Sequence, residues 1–189
     1  MTASGSQAEP SREQRKLALF EDLCLPHLNA AYNLARWITG NDQDAEDLVQ
    51  EAYLRALKSF GGFREGYGRA WLLIIVRNTC YTWLRRNRLN ELTTSFDEEM
   101  HSTSSHASNP EVLLLQSANG DLLKKALQEL PADFREVVIM REVEGLSYRE
   151  IASISGVPVG TVMSRLARAR ARLQQVWARP IEQAVPTTT

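Results

Sequence analysis

The stretch from Ser147 to Leu173, SYREIASISGVPVGTVMSRLARARARL, leaves few choices of local fold. Ser147 and Glu150 have the S-x-x-E spacing of a capping box, in which the hydroxyl takes the N3 amide and the carboxylate returns to the cap amide. Leu146 and Ile151 flank them at the spacing of a hydrophobic staple. Gly156 follows within two turns and is free to take the left-handed conformation that ends helices. Pro158 stands where a second helix begins, a position that tolerates a missing N–H. Two helices joined by a tight turn containing glycine predict a helix-turn-helix.

The second of these helices has two faces. Val162, Leu166, Ala169, Leu173 and Val176 form an apolar stripe for a core, and Thr161, Arg165, Arg168 and Arg172 step along its flank. No acid lies between Glu150 and Glu182, whereas Arg165, Arg168, Arg170, Arg172 and Arg179 do. Arginines for phosphates and guanine edges, with small polar residues near the helix start, are what duplex recognition requires. A solvated basic helix on an ordinary bundle is the plainer alternative.

The remainder is compatible with such a binding module. With 189 residues the chain has room for one or two domains, and 43% apolar with 24% charged residues is the balance of a globular protein. A net charge of −1 argues against a simple basic DNA coat, so the arginines above are a local concentration. No apolar run approaches the ~20 residues of a membrane span. The N-terminus lacks a signal-peptide core. Two cysteines, Cys24 and Cys80, are too few for a disulfide framework and point to a reducing cytoplasm. Cys24 and His27 have half of a metal spacing without a second pair; a packed cysteine fits better.

Residues 1–15 read as a disordered leader, and an apolar pattern from Leu17 to Ile38 predicts one or two helices ending at Gly40. Asn41 or Asp42 caps the next helix, whose buried side is Ala45, Leu48, Val49, Ala52, Tyr53, Ala56 and Leu57. Its other side carries Asp42, Asp44, Glu46, Asp47 and Glu51, with no Lys or Arg between Arg36 and Arg55. Such a face either favours the helix N-terminus and solubility or docks a basic partner. Residues 60–69 form a glycine-rich loop that nonetheless holds three aromatics. A helix over about 70–88 follows, with a buried stripe of Leu72, Ile75, Val76, Thr79 and Trp83. Beside it lie Arg77, Tyr81, Arg85 and Arg88, and no acid occurs between Glu65 and Glu91. Arginine interleaved with Trp71, Asn78 and Tyr81 suits single-stranded nucleic acid, which is held by charge along its backbone and rings against its bases; a basic helix with aromatics in the core is the other reading. Residues 91–118 contain no Lys or Arg and many Ser, Thr and acids, the composition of a flexible linker. A helix from about Asp121 closes at Pro131. Another ends at Gly145, with Val137, Val138, Met140 and Val143 on its apolar side. Residues 179–189 read as a disordered tail. No nucleophile–base pair, phosphate loop, metal set or cofactor motif is present, so catalysis is not expected.

This arrangement resembles the extracytoplasmic-function (ECF) sigma factors of bacterial RNA polymerase. DAEDLVQEAYLRALKSFGGFR (Asp44–Arg64) and WLLIIVRNTCYTWLRRNR (Trp71–Arg88) are similar to region two of that family, and Leu130–Leu173 is similar to region four. The resemblance implies an all-α chain of two small helical domains: region two over 16–90, the linker 91–118, and region four with its helix-turn-helix over 119–178. It implies that Asp44, Asp47, Gln50 and Glu51 dock on the clamp helices of the largest subunit of core RNA polymerase, and that region four meets the flap. It implies that Phe63, Arg64, Trp71, Arg77, Asn78, Tyr81, Arg85 and Arg86 capture the opened −10 element of promoter DNA. Thr161, Ser164, Arg165 and Arg168, with Pro158 and Gly160 at the helix start, then read the −35 element. An anti-sigma factor is a further implied partner. Thr82 stands where many members have an acid. Met163 and Ala167 stand where others carry arginine or an aromatic, so the −35 preference is not transferable from a relative. A dimerising helix-turn-helix regulator is the main rival, but it leaves the acidic face and the aromatic basic helix without use. An enzyme acting on nucleic acid is a third reading, and it lacks a catalytic constellation.

Overall fold

The computed structural model describes residues 11–63, 68–93 and 118–178, with the side chains of 89–93, 118–121 and 176–178 excepted. Residues 1–10, 64–67, 94–117 and 179–189 lie outside the described residues, as do the expectations that fall on them, whereas 91–93 and 118, expected in the linker over 91–118, lie in helices. Every described element is a helix, and the chain divides into two compact units, 1–98 and 99–189.

The first unit begins earlier than the apolar pattern suggested. Helix α1 (Arg12–Cys24) starts inside the expected leader, because Ser11 and Gln14 form a capping box. The Ser11 hydroxyl accepts from the Gln14 amide, and Gln14 Oε1 accepts from the Ser11 amide at 2.7 Å. This cap lies among polar residues, where apolar periodicity gives no cue. Pro26 interrupts the ladder, and a 3₁₀ turn (Leu25–His27) leads into α2 (Leu28–Thr39). Gly40, at φ 78°, closes α2, and Asn41 rather than Asp42 caps α3 (Asp42–Ser59) through the amides of Gln43 and Asp44. Arg36 pairs with Asp42 across that turn. A 3₁₀ turn (Phe60–Gly62) precedes α4 (Gly68–Thr93).

Helices α2, α3 and α4 pack against one another, and α1 lies on α4. Ala31, Ala35, Ala45, Ala52 and Ala56 are fully buried, and such small side chains let helix axes approach closely. The buried side of α4 differs from the expected stripe. Leu72, Val76 and Thr79 are inside as expected, but Leu73 and Cys80 replace Ile75 and Trp83, which are half-exposed. Contact with three helices rotates the buried arc of α4 toward Leu73 and Cys80 and leaves Trp83 at its margin. Burial pushes both thiols up, Cys80 to about 12, so neither cysteine is a ready thiolate.

In the second unit α5 (Ala118–Gln128) is followed by α6 (Ala132–Val138), entered through Pro131. Arg135 donates to the carbonyls of Gln128 and Leu130 and so ties the turn between them. Helix α6 runs on into a π turn (Ile139–Val143), in which the Glu144 amide reaches the Ile139 carbonyl at 3.0 Å. The extra residue of a π turn shifts the register. Val143, expected on the apolar side, is therefore exposed, while Val137, Val138, Ile139 and Met140 are buried. Gly145, at φ 67°, then turns the chain toward α7 (Tyr148–Ser155).

The cap of α7 is the one read from sequence. The Glu150 carboxylate accepts from the Ser147 amide at 2.8 Å, the Glu150 amide donates to the Ser147 hydroxyl, and Leu146 and Ile151 are both buried. Gly156, at φ 67°, ends the helix. Helix α8 (Val159–Ala178) starts one residue after Pro158, whose carbonyl takes the Thr161 and Val162 amides. Val162, Leu166 and Ala169 bury the inner face of α8, which packs on α6 and α7. Substituting Ser147→Ala should lower the unfolding free energy by about 1 kcal/mol, the usual worth of an N-cap. Urea unfolding of the full chain checks this, and an unchanged midpoint would show that the cap contributes nothing.

Candidate nucleic-acid interface

Of the three aromatics in the glycine-rich loop, Phe60 and Phe63 pack onto the following helix, and Tyr67 lies outside the described residues. Phe60 is buried, and the Phe63 ring stacks on it at 5.4 Å between centroids with 8° between planes. Trp71 closes the group at 5.0 Å from Phe63 and 6.0 Å from Phe60, while Phe20 meets Phe60 edge-on from α1. Phe63 and Trp71 are only half-buried, so rings fixed by the cluster still present surface. Gly68 permits the start of α4 to approach α1, since a Cβ there would lie 3.2 Å from the Leu23 carbonyl oxygen.

From Trp71 the outer side of α4 continues through Asn78, Tyr81 and Arg85 at helical steps of seven, three and four. Asn78, Arg85 and Arg86 are exposed, and Arg77 and Tyr81 are half-exposed. The Arg77 guanidinium lies 4.4 Å from the Tyr81 ring centroid, a cation–π pair that orients both. Thr82 donates to the Asn78 carbonyl, so its hydroxyl is occupied by its own helix. The structure thus brings Phe63, Trp71, Arg77, Asn78, Tyr81, Arg85 and Arg86 to one unit, while Arg64 lies outside the described residues. Cation and ring alternating along a helix suit a single strand.

On α3 the acids separate into two groups. Asp42 is used by Arg36 and faces inward in part. Glu46, Asp47, Gln50 and Glu51 are exposed and Asp44 is half-exposed; desolvation and the Asp47 charge hold the Asp44 carboxyl above its ordinary value. Glu51 pairs with Arg55 one turn on. Leu54 is 59% exposed and continues the Asp44–Asp47–Glu51 line. Leu54 belongs to neither the apolar stripe nor the acidic face expected of this helix, although a leucine off the buried stripe of an amphipathic helix is a visible sign of a contact surface.

On α8, Gly160, Ser164 and Arg168 are exposed and Thr161 is half-exposed, with Val159 and Met163 forming an apolar row beside them, and Pro158 is exposed just before the helix. The arginines divide unexpectedly. Arg170 pairs with Glu142, and Arg172 lies over the Phe134 ring at 5.2 Å. Arg165, expected among the base readers, instead reaches Asp133 and Glu136 on α6. Arg168 alone of these four has no ion pair or ring contact among the described residues.

Comparison with known proteins places both helical units in one family. The family profile of Sigma-70 region 2 matches residues 23–89, and that of Sigma-70, region 4 matches residues 120–173. The ECF RNA polymerase sigma factor SigE of Mycolicibacterium smegmatis is 34% identical over 170 residues, which cover 88% of this chain and 65% of that protein. This chain thus spans just under two thirds of that relative. The ECF RNA polymerase sigma-E factor of Escherichia coli K12 is 37% identical over 134 residues, 67% of this chain and 70% of that protein. Among solved structures, the sigma factor RpoE of Bartonella quintana, crystallised with the anti-sigma factor NepR, aligns with a TM-score of 0.70 at 34% identity. That alignment covers 84% of this chain and 96% of the other. No described helix is long and apolar enough to cross a membrane. The chain belongs to the ECF RNA polymerase sigma factor family.

Proposed function

We propose that this protein is a promoter-specificity subunit: it binds core RNA polymerase, directs it to promoters through their −10 and −35 elements, and promotes strand opening. The observation that carries this reading is the pairing, on one chain, of a capped helix-turn-helix with a separate helix displaying Trp71, Arg77, Asn78, Tyr81 and Arg85. A duplex reader and a single-strand binder are both needed only where DNA is first found closed and then held open. The protein makes and breaks no covalent bond; its effect is differential binding of the opened strand.

In this reading Asp44, Asp47, Gln50 and Glu51 dock on the clamp helices of the largest polymerase subunit, with Leu54 adding apolar contact. Region four meets the flap and offers Pro158, Gly160, Thr161, Ser164 and Arg168 to the −35 duplex. Unstacking bases costs about a few kcal/mol per step, which rings and cations on α4 offset by stacking and phosphate contact. Arg64 joins that strand-binding set, together with Phe63 and Arg86. The working compartment is the cytoplasm, where the polymerase is. The Bartonella relative was crystallised with an anti-sigma factor, and a protein of that kind is a further partner in this reading.

Trp71→Ala and Tyr81→Ala should each leave closed-promoter binding nearly unchanged and reduce strand opening by about tenfold, given ~1–3 kcal/mol per stacked base. Permanganate reactivity of unpaired thymines in the −10 region reads this directly. Full opening by both variants would remove the stacking role.

A further inference from the structure

Arg165 stands on the flank of the proposed recognition helix, where an arginine invites assignment to a base, yet its guanidinium turns toward α6. Nη2 lies 3.2 Å from Asp133 Oδ2 and Nη1 lies 3.8 Å from Glu136 Oε1. Glu136 is fully buried, Asp133 is partly exposed, and the Arg165 side chain retains 21% exposure. Arg165 Nη1 is itself buried and makes no hydrogen bond within the described protein. Bidentate recognition of guanine requires terminal nitrogens that face the groove. Here one is enclosed, and the other is engaged by Asp133. A planar fork is well suited to spanning two carboxylates, which a lysine would meet as a point charge.

We propose that Arg165 is a positioning residue for promoter recognition. It locks the first half of α8 to α6 and fixes the angle at which Thr161, Ser164 and Arg168 meet the major groove, and it contacts no base itself. The site of the lock supports this. Arg165 lies between Val162 and Leu166, whose side chains bury the inner face of α8, and Glu136 adjoins the buried Val137. The ion pair therefore borders an apolar contact where water screens it poorly. Breaking an ion pair that has a buried carboxylate is unfavourable, so the pair resists any shift of α8 against α6. The arginine left outward on this part of the helix, Arg168, is then the one available for readout.

This inference rests on the reading of α8 as the −35 helix, and the test separates the two. Full-length protein carrying Glu136→Gln, Arg165→Gln or both is bound to core polymerase and titrated on a promoter and its single-base −35 variants. Thermal unfolding of the free proteins is measured in parallel. A positioning role predicts that each single substitution weakens binding to every −35 variant by a similar factor, on the order of tenfold, with the rank order of bases kept. It also predicts that the double variant is no worse than either single one, in DNA binding and in melting temperature, because the two groups act as one unit. The milder Asp133→Asn should move in the same direction. If Arg165→Gln re-ranks the bases at one position, or if Glu136→Gln leaves binding unchanged or tighter, Arg165 is a direct reader and the proposal is wrong. If wild-type holoenzyme selects no promoter, the −35 reading fails, while non-additive melting would still establish the lock and additive melting would overturn it.

Discussion

Leu166→Ala is expected to destabilise the second unit by ~2–5 kcal/mol, the range for removing a leucine from a packed core without full collapse of the cavity. Leu166 is 1% exposed and lies between the buried Val162 and Ala169 on the face of α8 that packs on α6 and α7. So small a helical unit has a net stability of only about 5 kcal/mol or somewhat more, so the loss consumes most of it. The first unit has its own core around Leu34, Leu72, Leu73 and Val76, which the substitution does not touch. The variant should therefore retain core polymerase binding and lose recognition of the −35 element. Urea unfolding followed by far-UV circular dichroism should show an early transition absent from the wild type. An unshifted single transition would mean that Leu166 does not anchor the recognition helix.

The second large effect concerns the acidic face of α3. Asp47→Arg with Glu51→Arg should weaken binding to core polymerase by about 100-fold or more, since like charges opposed across an interface cost several kcal/mol. Both residues are exposed, so the fold should change by no more than ~0.5 kcal/mol. Glu51 also loses its pairing with Arg55, worth about 0.3–0.5 kcal/mol on an exposed helix. Asp47→Arg alone has no such loss and serves as the cleaner variant. Fluorescence titration of labelled protein with core polymerase measures the change, and thermal unfolding verifies the fold. Unchanged affinity with an intact fold would make the acids an ordinary solvated surface.

Local signals carried most of the fold. Ser147, Glu150 and Gly156 define α7 within ten residues of chain, and Gly40 with Asn41 marks the α2–α3 corner, because caps and left-handed glycines act on neighbouring backbone. What escaped depended on partners distant in sequence or on weak contrast. The Ser11–Gln14 cap lies in a polar stretch without an apolar run to announce it. The buried side of α4 is set by α1, α2 and α3 together, which is why Cys80 is inside and Trp83 at the edge. The π turn at Ile139–Val143 places Val143 outside, and no residue type there marks it.

The candidate site followed the same division. Which residue types lie on α3, α4 and α8 was readable from spacing, and Asp47, Gln50, Asn78, Arg85, Ser164 and Arg168 are exposed as a binding role requires. How each arginine is used was not readable. Arg165, Arg170 and Arg172 look alike in sequence, and only the folded unit shows their partners in Asp133 and Glu136, Glu142 and Phe134. A run of basic residues thus overstated the charge available to DNA.

Transcription from a library of genomic fragments by core bacterial RNA polymerase, with and without the protein, decides whether this chain confers promoter choice. Transcripts should begin at discrete positions only when the protein is present, with shared sequence elements near −10 and −35. DNA binding by the protein with no change in where polymerase initiates would contradict it and favour an independent helix-turn-helix regulator.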